Sequence, residues 1–281
     1  MAAGLGLLVP SAAAAGAVDI LLALLVFVTA LDIDPRRLLQ VRRCLPLILL
    51  VAVIPLIVLA AVGWGLSQLV HGDTRDGVLA LGLAPAEVAS VGLIGLMGGA
   101  AELALAVLTI SLVLSALAGP PVLALLSDAG SGAHPLPLLG RFALVVLAPL
   151  ILGLLIRGAT AKLADRGTEL TLASTLIVVL LVFASLSDTR TAGIGAAALI
   201  SVAFLGVSAL LAVAAVRTGV AGLDPTLGFT IAMRDFAVAS ALAAGAFGHG
   251  ATQVAGVYGA IMLVVAAALT SVVRRRRAGR G

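Results

Sequence analysis

Leu227-Gly-Phe-Thr-Ile-Ala-Met-Arg-Asp-Phe-Ala-Val-Ala-Ser240 is an apolar run long enough to enter a membrane, yet it carries two adjacent charges, Arg234 and Asp235, near its middle. An ionisable side chain at bilayer depth costs about 2.5–3.5 kcal/mol on insertion scales. Such charges persist where they have partners and a use. A second stretch, Leu81-Gly-Leu-Ala-Pro-Ala-Glu-Val-Ala-Ser90, shares the character: an acid, Glu87, stands beside Pro85 in a hydrophobic run. Both stretches open with Leu-Gly and close with Val-Ala-Ser.

Around them the 281-residue chain is 62% hydrophobic and 11% charged, against about 25% charged in soluble domains. Apolar runs recur from end to end at the length of about 20 residues that a membrane helix needs. The expected fold class is an all-α polytopic membrane protein. The alternation of barrel strands over about ten residues is not visible, and no polar stretch is long enough for a soluble domain. The basic residues lie in connections, so the net charge of +4 points to topology and not to nucleic acid. With the tail inside, thirteen basic residues fall on the inner side and three, Arg75, Arg141 and Arg190, on the outer. The positive-inside rule then places the C-terminus in the cytoplasm of a multi-pass cell-membrane protein, with the bilayer as a partner. Met1 to Ala17 has no basic leader region, and it reads as a shortened first membrane segment and not as a signal peptide.

In chain order, the pattern predicts helices over about 18–33, 44–69, 77–98 with a break near Pro85, 101–126, 137–156, 169–187, 193–216, 225–248 with a break near Arg234, and 252–272, before a basic tail at 274–281. The chain reads as one membrane domain, 1–281, in two repeats of about 1–127 and 135–273. The two broken segments run through the membrane in opposite senses, the arrangement of inverted-repeat transporters whose discontinuous helices meet at a midplane site.

Arg234 and Asp235 point about 100° apart on a helix and do not pair with each other. A break between them would put a cation at one half-helix C-terminus and an acid at the next N-terminus, as the dipoles favour. Asp235 then reads as an N-cap. Arg234 needs another partner, and Glu87 is the candidate; the alternative leaves Glu87 unpaired against a water-filled cavity. Glu102 reads as an acid opening an interfacial helix. His71, His134 and His249 read as loop residues, and the single Cys44 provides no multi-cysteine metal site. No nucleophile motif or phosphate-binding loop occurs, so an enzyme is not expected.

The run Ala84-Pro-Ala-Glu-Val-Ala-Ser90, the turn Gly98-Gly99 and the helix ending Gly119-Pro-Pro121 resemble the fourth and fifth helices of the bile acid:sodium symporter family, in the bile/arsenite/riboflavin transporter superfamily. Thr230-Ile-Ala-Met-Arg-Asp-Phe-Ala-Val-Ala-Ser-Ala-Leu-Ala243 resembles that family's broken ninth helix. The resemblance implies ten helices in two inverted repeats, with core and panel domains and broken helices crossing near 84–91 and 230–236; the short N-terminus leaves about nine to ten.

Departures from the family pattern bear on coupling. Where the family places Ser-Asn for sodium, this chain has Ser90-Val91; hydroxyl ligands of the next helix fall at Ala104 and Leu108. The family's Glu, Gln and Asn of the ninth helix read Thr230, Arg234 and Asp235. Sodium coupling of the family type is therefore not expected. Arg234 reads as a built-in cation in the place of the ion, balanced by Glu87 or Asp235, with a proton as the alternative coupling ion. The reading is a secondary transporter of a small organic anion, proton-coupled or uncoupled, without cofactor or metal. Its substrate- and ion-binding candidates are Glu87, Ser90, Thr230, Met233, Arg234 and Asp235. A non-transporting sensor or scaffold, and an exporter of arsenite type, are the alternatives.

Overall fold

The computed structural model describes residues 17–34, 41–127, 134–160, 167–187, 193–218 and 225–278. The expected partial helix at the N-terminus lies outside these residues, as do most of the charged connection after Asp34 and the last three residues of the tail. The described residues are helical apart from short links and one isolated backbone pairing. In order they form α1 (Ala17–Asp32), α2 (Leu45–Ser67), α3 (Asp73–Gly82), α4 (Val88–Met97), α5 (Ala101–Leu126), α6 (Pro135–Ala159), α7 (Gly167–Ser187), α8 (Ile194–Arg217), α9 (Gly228–Ala232), α10 (Phe236–Phe247) and α11 (Thr252–Ala278). Six of them, α2, α5, α6, α7, α8 and α11, are long and apolar enough to cross a membrane.

Large apolar side chains point outward on many of these helices, among them Ile20, Ile57, Leu125, Leu152, Leu199 and Val264. Exposed hydrophobic surface spread over so many helices suits hydrocarbon as solvent. The interior is built around α10, whose residues Phe236 to Ala244 are all buried. Its alanine-rich sequence lets neighbouring backbones come close, which is how membrane helices gain packing energy. α3, α11 and α1 pack on it, and α1 also packs on α6 and α7.

Local sequence explains several irregularities. α6 contains a π-turn at Ala143–Leu147. Pro149 follows directly; it lacks the N–H that would reach Val145 and its ring crowds that carbonyl, so a wider turn relieves the clash. α11 runs through Arg274–Arg277 to Ala278, so the tail expected from 274 is largely helical. Arginine is a good helix former, and cations suit a helix C-terminus. On the side where α1 begins, Arg141 of α6 makes a two-pronged ion pair with Asp19 of α1, Nε to Oδ2 at 2.6 Å and Nη2 to Oδ1 at 2.7 Å.

α2 and α3 meet backbone to backbone. A methyl group on Gly82 would lie 2.8 Å from the Leu59 carbonyl, and one on Gly63 would lie 2.9 Å from the Gly82 Cα. Neither backbone can yield without separating the helices. Gly82→Val is expected to destabilise the protein by about 1–3 kcal/mol, read as a lowered midpoint in thermal unfolding of the detergent-solubilised chain; Gly65→Ala, in open space, serves as the neutral control.

Candidate functional site

Both charged stretches leave helical geometry. α3 ends at Gly82, and the chain runs extended through Ala86 and Glu87 before α4 starts. α9 ends at Ala232, and Met233, Arg234 and Asp235 are extended before α10. Pro85 has no N–H and disfavours helix in the residue before it, which sets the first break. The two links lie antiparallel, with Ala86 opposite Arg234. Glu87 N donates to the Met233 carbonyl at 3.1 Å, and Asp235 N donates to the Pro85 carbonyl at 2.9 Å.

Unwound backbone at this depth must find every partner within the protein. The account closes. Leu83 N and Ala84 N donate back to Ala80 and Leu81, and Met233 N to Phe229. Ala86 N donates to Ser111 Oγ at 3.2 Å, and Arg234 N to the Tyr258 hydroxyl at 3.0 Å. Ser115 Oγ donates to the Leu83 carbonyl at 2.6 Å. Ser111 and Ser115 lie four residues apart on one face of α5. That serine spacing opposite a proline break, and the chain's single tyrosine in an apolar helix, were signals in the sequence, but Ser111, Ser115 and Tyr258 were not among the expected site residues.

The pleat of the pairing decides where the charges point. Side chains alternate between faces along an extended strand. Ala86 and Arg234 therefore share one face, and Glu87 and Asp235 the other. The expected Glu87–Arg234 ion pair is not formed: Glu87 Oε2 and Arg234 Nε and Nη2 are buried without a hydrogen-bond partner among the described residues. Arg234 is also not the end of a half-helix, as expected, but the centre of the extended link. The residue is 1% exposed, and Asp235 is an acid whose charge acts on its guanidinium.

Asp235 is the N-cap of α10, as expected. Its Oδ1 accepts from Ala237 N at 2.9 Å and Val238 N at 3.0 Å. Glu87 is differently placed. It stands at the N-cap position of α4 without a cap hydrogen bond of regular geometry, and the N–H groups of Ala89 and Val88 in α4 and of Phe236, which opens α10, face its carboxyl. The two acids thus sit together at two converging helix N-termini, a favourable place for negative charge. Ser90 Oγ donates to the Glu87 carbonyl at 2.6 Å and Thr230 Oγ1 to the Leu227 carbonyl at 2.7 Å. Met233 is buried and serves through its carbonyl.

A cavity of about 330 Å³ opens on the acid face, between α1, α4, α5 and α7. Of the expected site residues Glu87 lines it; Ser90, Thr230, Met233, Arg234 and Asp235 do not. Asp235 lines a void of about 10 Å³ next to it, which shares Thr29, Val88 and Leu108 with the cavity wall. Thr29 and Asp32 of α1, and Thr171, Ser174 and Thr175 of α7, are further polar lining residues that the sequence reading passed over. Ala104 and Leu108, the positions where the resemblance expects hydroxyl ligands, are buried and carry no oxygen in their side chains.

A family model, the SBF-like CPA transporter family, matches residues 1–275. The chain belongs to that family. It is therefore a multi-pass membrane transporter related to the bile acid:sodium symporters, and a non-enzyme reading agrees with that membership. No curated protein matches the chain.

Within this family member the crossing depends on Tyr258. Tyr258→Phe removes the hydroxyl that Arg234 N–H uses and leaves a buried donor unpaired, expected to cost about 1–3 kcal/mol. Thermal unfolding would show it, and unchanged stability would mean that the link does not need this bond.

Proposed function

We propose that the protein is a secondary transporter working by alternating access about the crossing of residues 85–87 and 233–235, with Glu87 as its proton-carrying group. One observation carries the assignment: Glu87 lines a cavity, and its Oε2 is buried without a hydrogen-bond partner among the described residues. Asp235 spends its carboxylate on the α10 cap. With both acids ionised and Arg234 charged, the crossing carries one net negative charge, and a single proton on Glu87 neutralises it. The built-in cation takes the role that sodium has in the resemblance.

Contacts on the two sides of the crossing support alternating access. On the side where α1 begins and α7 ends, α1, α6 and α7 close against α10 and α11: Arg141 holds Asp19 and lies over Gly245, Ser185 Oγ bonds Ser240 Oγ at 2.9 Å, and Thr252 Oγ1 donates to the Ser185 carbonyl at 3.1 Å. On the other side, where Asp32 and Thr171 lie, the cavity stands between α1 and α7 and the helices α4, α5 and α11. We read α1, α6 and α7 as the panel and the remaining helices as the core, and 1–127 and 135–273 as inverted repeats. The antiparallel pairing of the two breaks supports that reading. With the tail cytoplasmic, this is an inward-facing state.

A second reading, transport of a small organic anion, is favoured by the unpartnered Nε and Nη2 of Arg234. It needs Arg234 to become accessible from the face opposite Glu87. An exporter of arsenite type gains no support, because Cys44 lies at the start of α2 and does not line the cavity.

Infrared difference spectra of the reconstituted protein between neutral and acidic pH would test the proton site. A carboxylic-acid carbonyl band should appear on acidification in the wild type and be missing in Glu87→Gln, with or without sodium. A band that survives in Glu87→Gln but vanishes in Asp235→Asn would overturn the assignment. Benzoate stabilising the wild type but not Arg234→Gln would carry the second reading instead.

A further inference from the structure

The wall of the cavity has a consistent chemistry. Among the described residues its charged lining is Glu87 and Asp32, and neither a lysine nor an arginine lines it. Thr29 and Asp32 stand three residues apart, on one face of α1. Thr171, Ser174 and Thr175 share a face of α7, and their hydroxyls donate to their own helix: Thr171 to Gly167, Ser174 and Thr175 to Thr171. With those hydrogens spent, the α7 oxygens offer lone pairs. Two oxygens of lining residues, Glu87 Oε2 and Thr29 Oγ1, are buried without a hydrogen-bond partner among the described residues. The polar lining thus offers acceptors from both acids and the α7 hydroxyls, and the Thr29 hydroxyl is free to accept or donate. Between these groups the wall is hydrocarbon, from Leu25, Val28, Leu105, Leu108 and Leu263.

We propose that this cavity binds a small organic ammonium ion, with its N–H donors on Glu87, Asp32 and Thr29 and its hydrocarbon body against α1 and α5. The inference rests on the transporter reading and names the substrate class of the same site. A bare metal ion would leave most of about 330 Å³ unfilled, and the low end of the size range for ligand pockets, about 300–1,000 Å³, fits a small molecule. An anion would meet two carboxylates and no cation among the described lining residues. The charges around Glu87 agree: Asp235 adds negative potential from α10, the Tyr258 hydroxyl on α11 is uncharged, and Arg234 points from the opposite face of the pairing. Near Asp32, Arg157 of α6 acts on the carboxylate without lining the cavity. Because one positive charge neutralises the crossing, the ammonium ion and the Glu87 proton compete for one place. Ammonium affinity should therefore fall as pH is lowered.

Binding to the purified full-length chain in detergent, read by calorimetry and thermal shift, decides this with three probes: phenethylammonium, phenylacetate and sodium chloride. Phenethylammonium should bind and raise the unfolding midpoint, and phenylacetate should do neither. Glu87→Gln and Asp32→Asn should each weaken phenethylammonium at least tenfold. Thr29→Val, a milder change at the wall, should weaken it several-fold and keep the protein available for the test if the acid variants fail to fold. Binding of phenylacetate in preference to phenethylammonium overturns the inference. So does sodium competing at the same site with equal effect, or amine binding indifferent to all three substitutions. If phenethylammonium binds as described but Glu87 shows no protonation band, the cation site stands and the proton-coupled reading fails; the reverse pattern separates them the other way.

Discussion

Two backbone hydrogen bonds, Glu87 N to Met233 and Asp235 N to Pro85, hold the rest of the structure in register. They exist because two stretches of chain unwind where no water is available to satisfy peptide groups. Each link completes the other, and the outward-facing N–H groups of the bridged pair are taken by Ser111 and Tyr258. Four helix ends consequently meet at one place. α10, with α3 and α11 packed against it, is fixed at the depth of the crossing, and its small side chains let the surrounding helices close in.

The same pairing sorts the charges. An extended strand sends successive side chains to opposite faces, so adjacent Arg234 and Asp235 are separated, and Glu87 is aligned with Asp235. Two acids share one side with two helix N-termini and a cavity, while the guanidinium is sealed behind them. Asp235 Oδ1 is held by its cap and Glu87 Oε2 has no hydrogen-bond partner among the described residues, which is the ground for proposing a structural role for one carboxylate and a chemical role for the other. Burying three charges is expensive, and that cost is consistent with a site that changes its charge state during a cycle.

Much of the architecture was legible in the residues. Long apolar runs specified membrane helices, Pro85 and the Arg234-Asp235 pair marked both breaks, and Asp235 was readable as a cap because an acid before Phe-Ala-Val-Ala has few other uses. The crossing itself was legible from the matching Leu-Gly and Val-Ala-Ser boundaries. The partner of Arg234 was not. A helical reading of the link brings Glu87 and Arg234 together; an extended one sets them on opposite faces, and the sequence of a three-residue link does not distinguish the two. Thr29, Asp32 and Ser174 were not legible either, because each is an unremarkable polar residue in its own helix.

The sequence by itself determined a polytopic helical membrane protein, the location of its two breaks and the residues with charge at depth, since hydropathy, proline and the cost of a buried ion act locally along the chain. Only the tertiary structure decided which face of the crossing each charge occupies and which helices wall the cavity. Those depend on the pleat of one short pairing and on the rotational setting of α1 and α7, both fixed by contacts between residues more than a hundred positions apart.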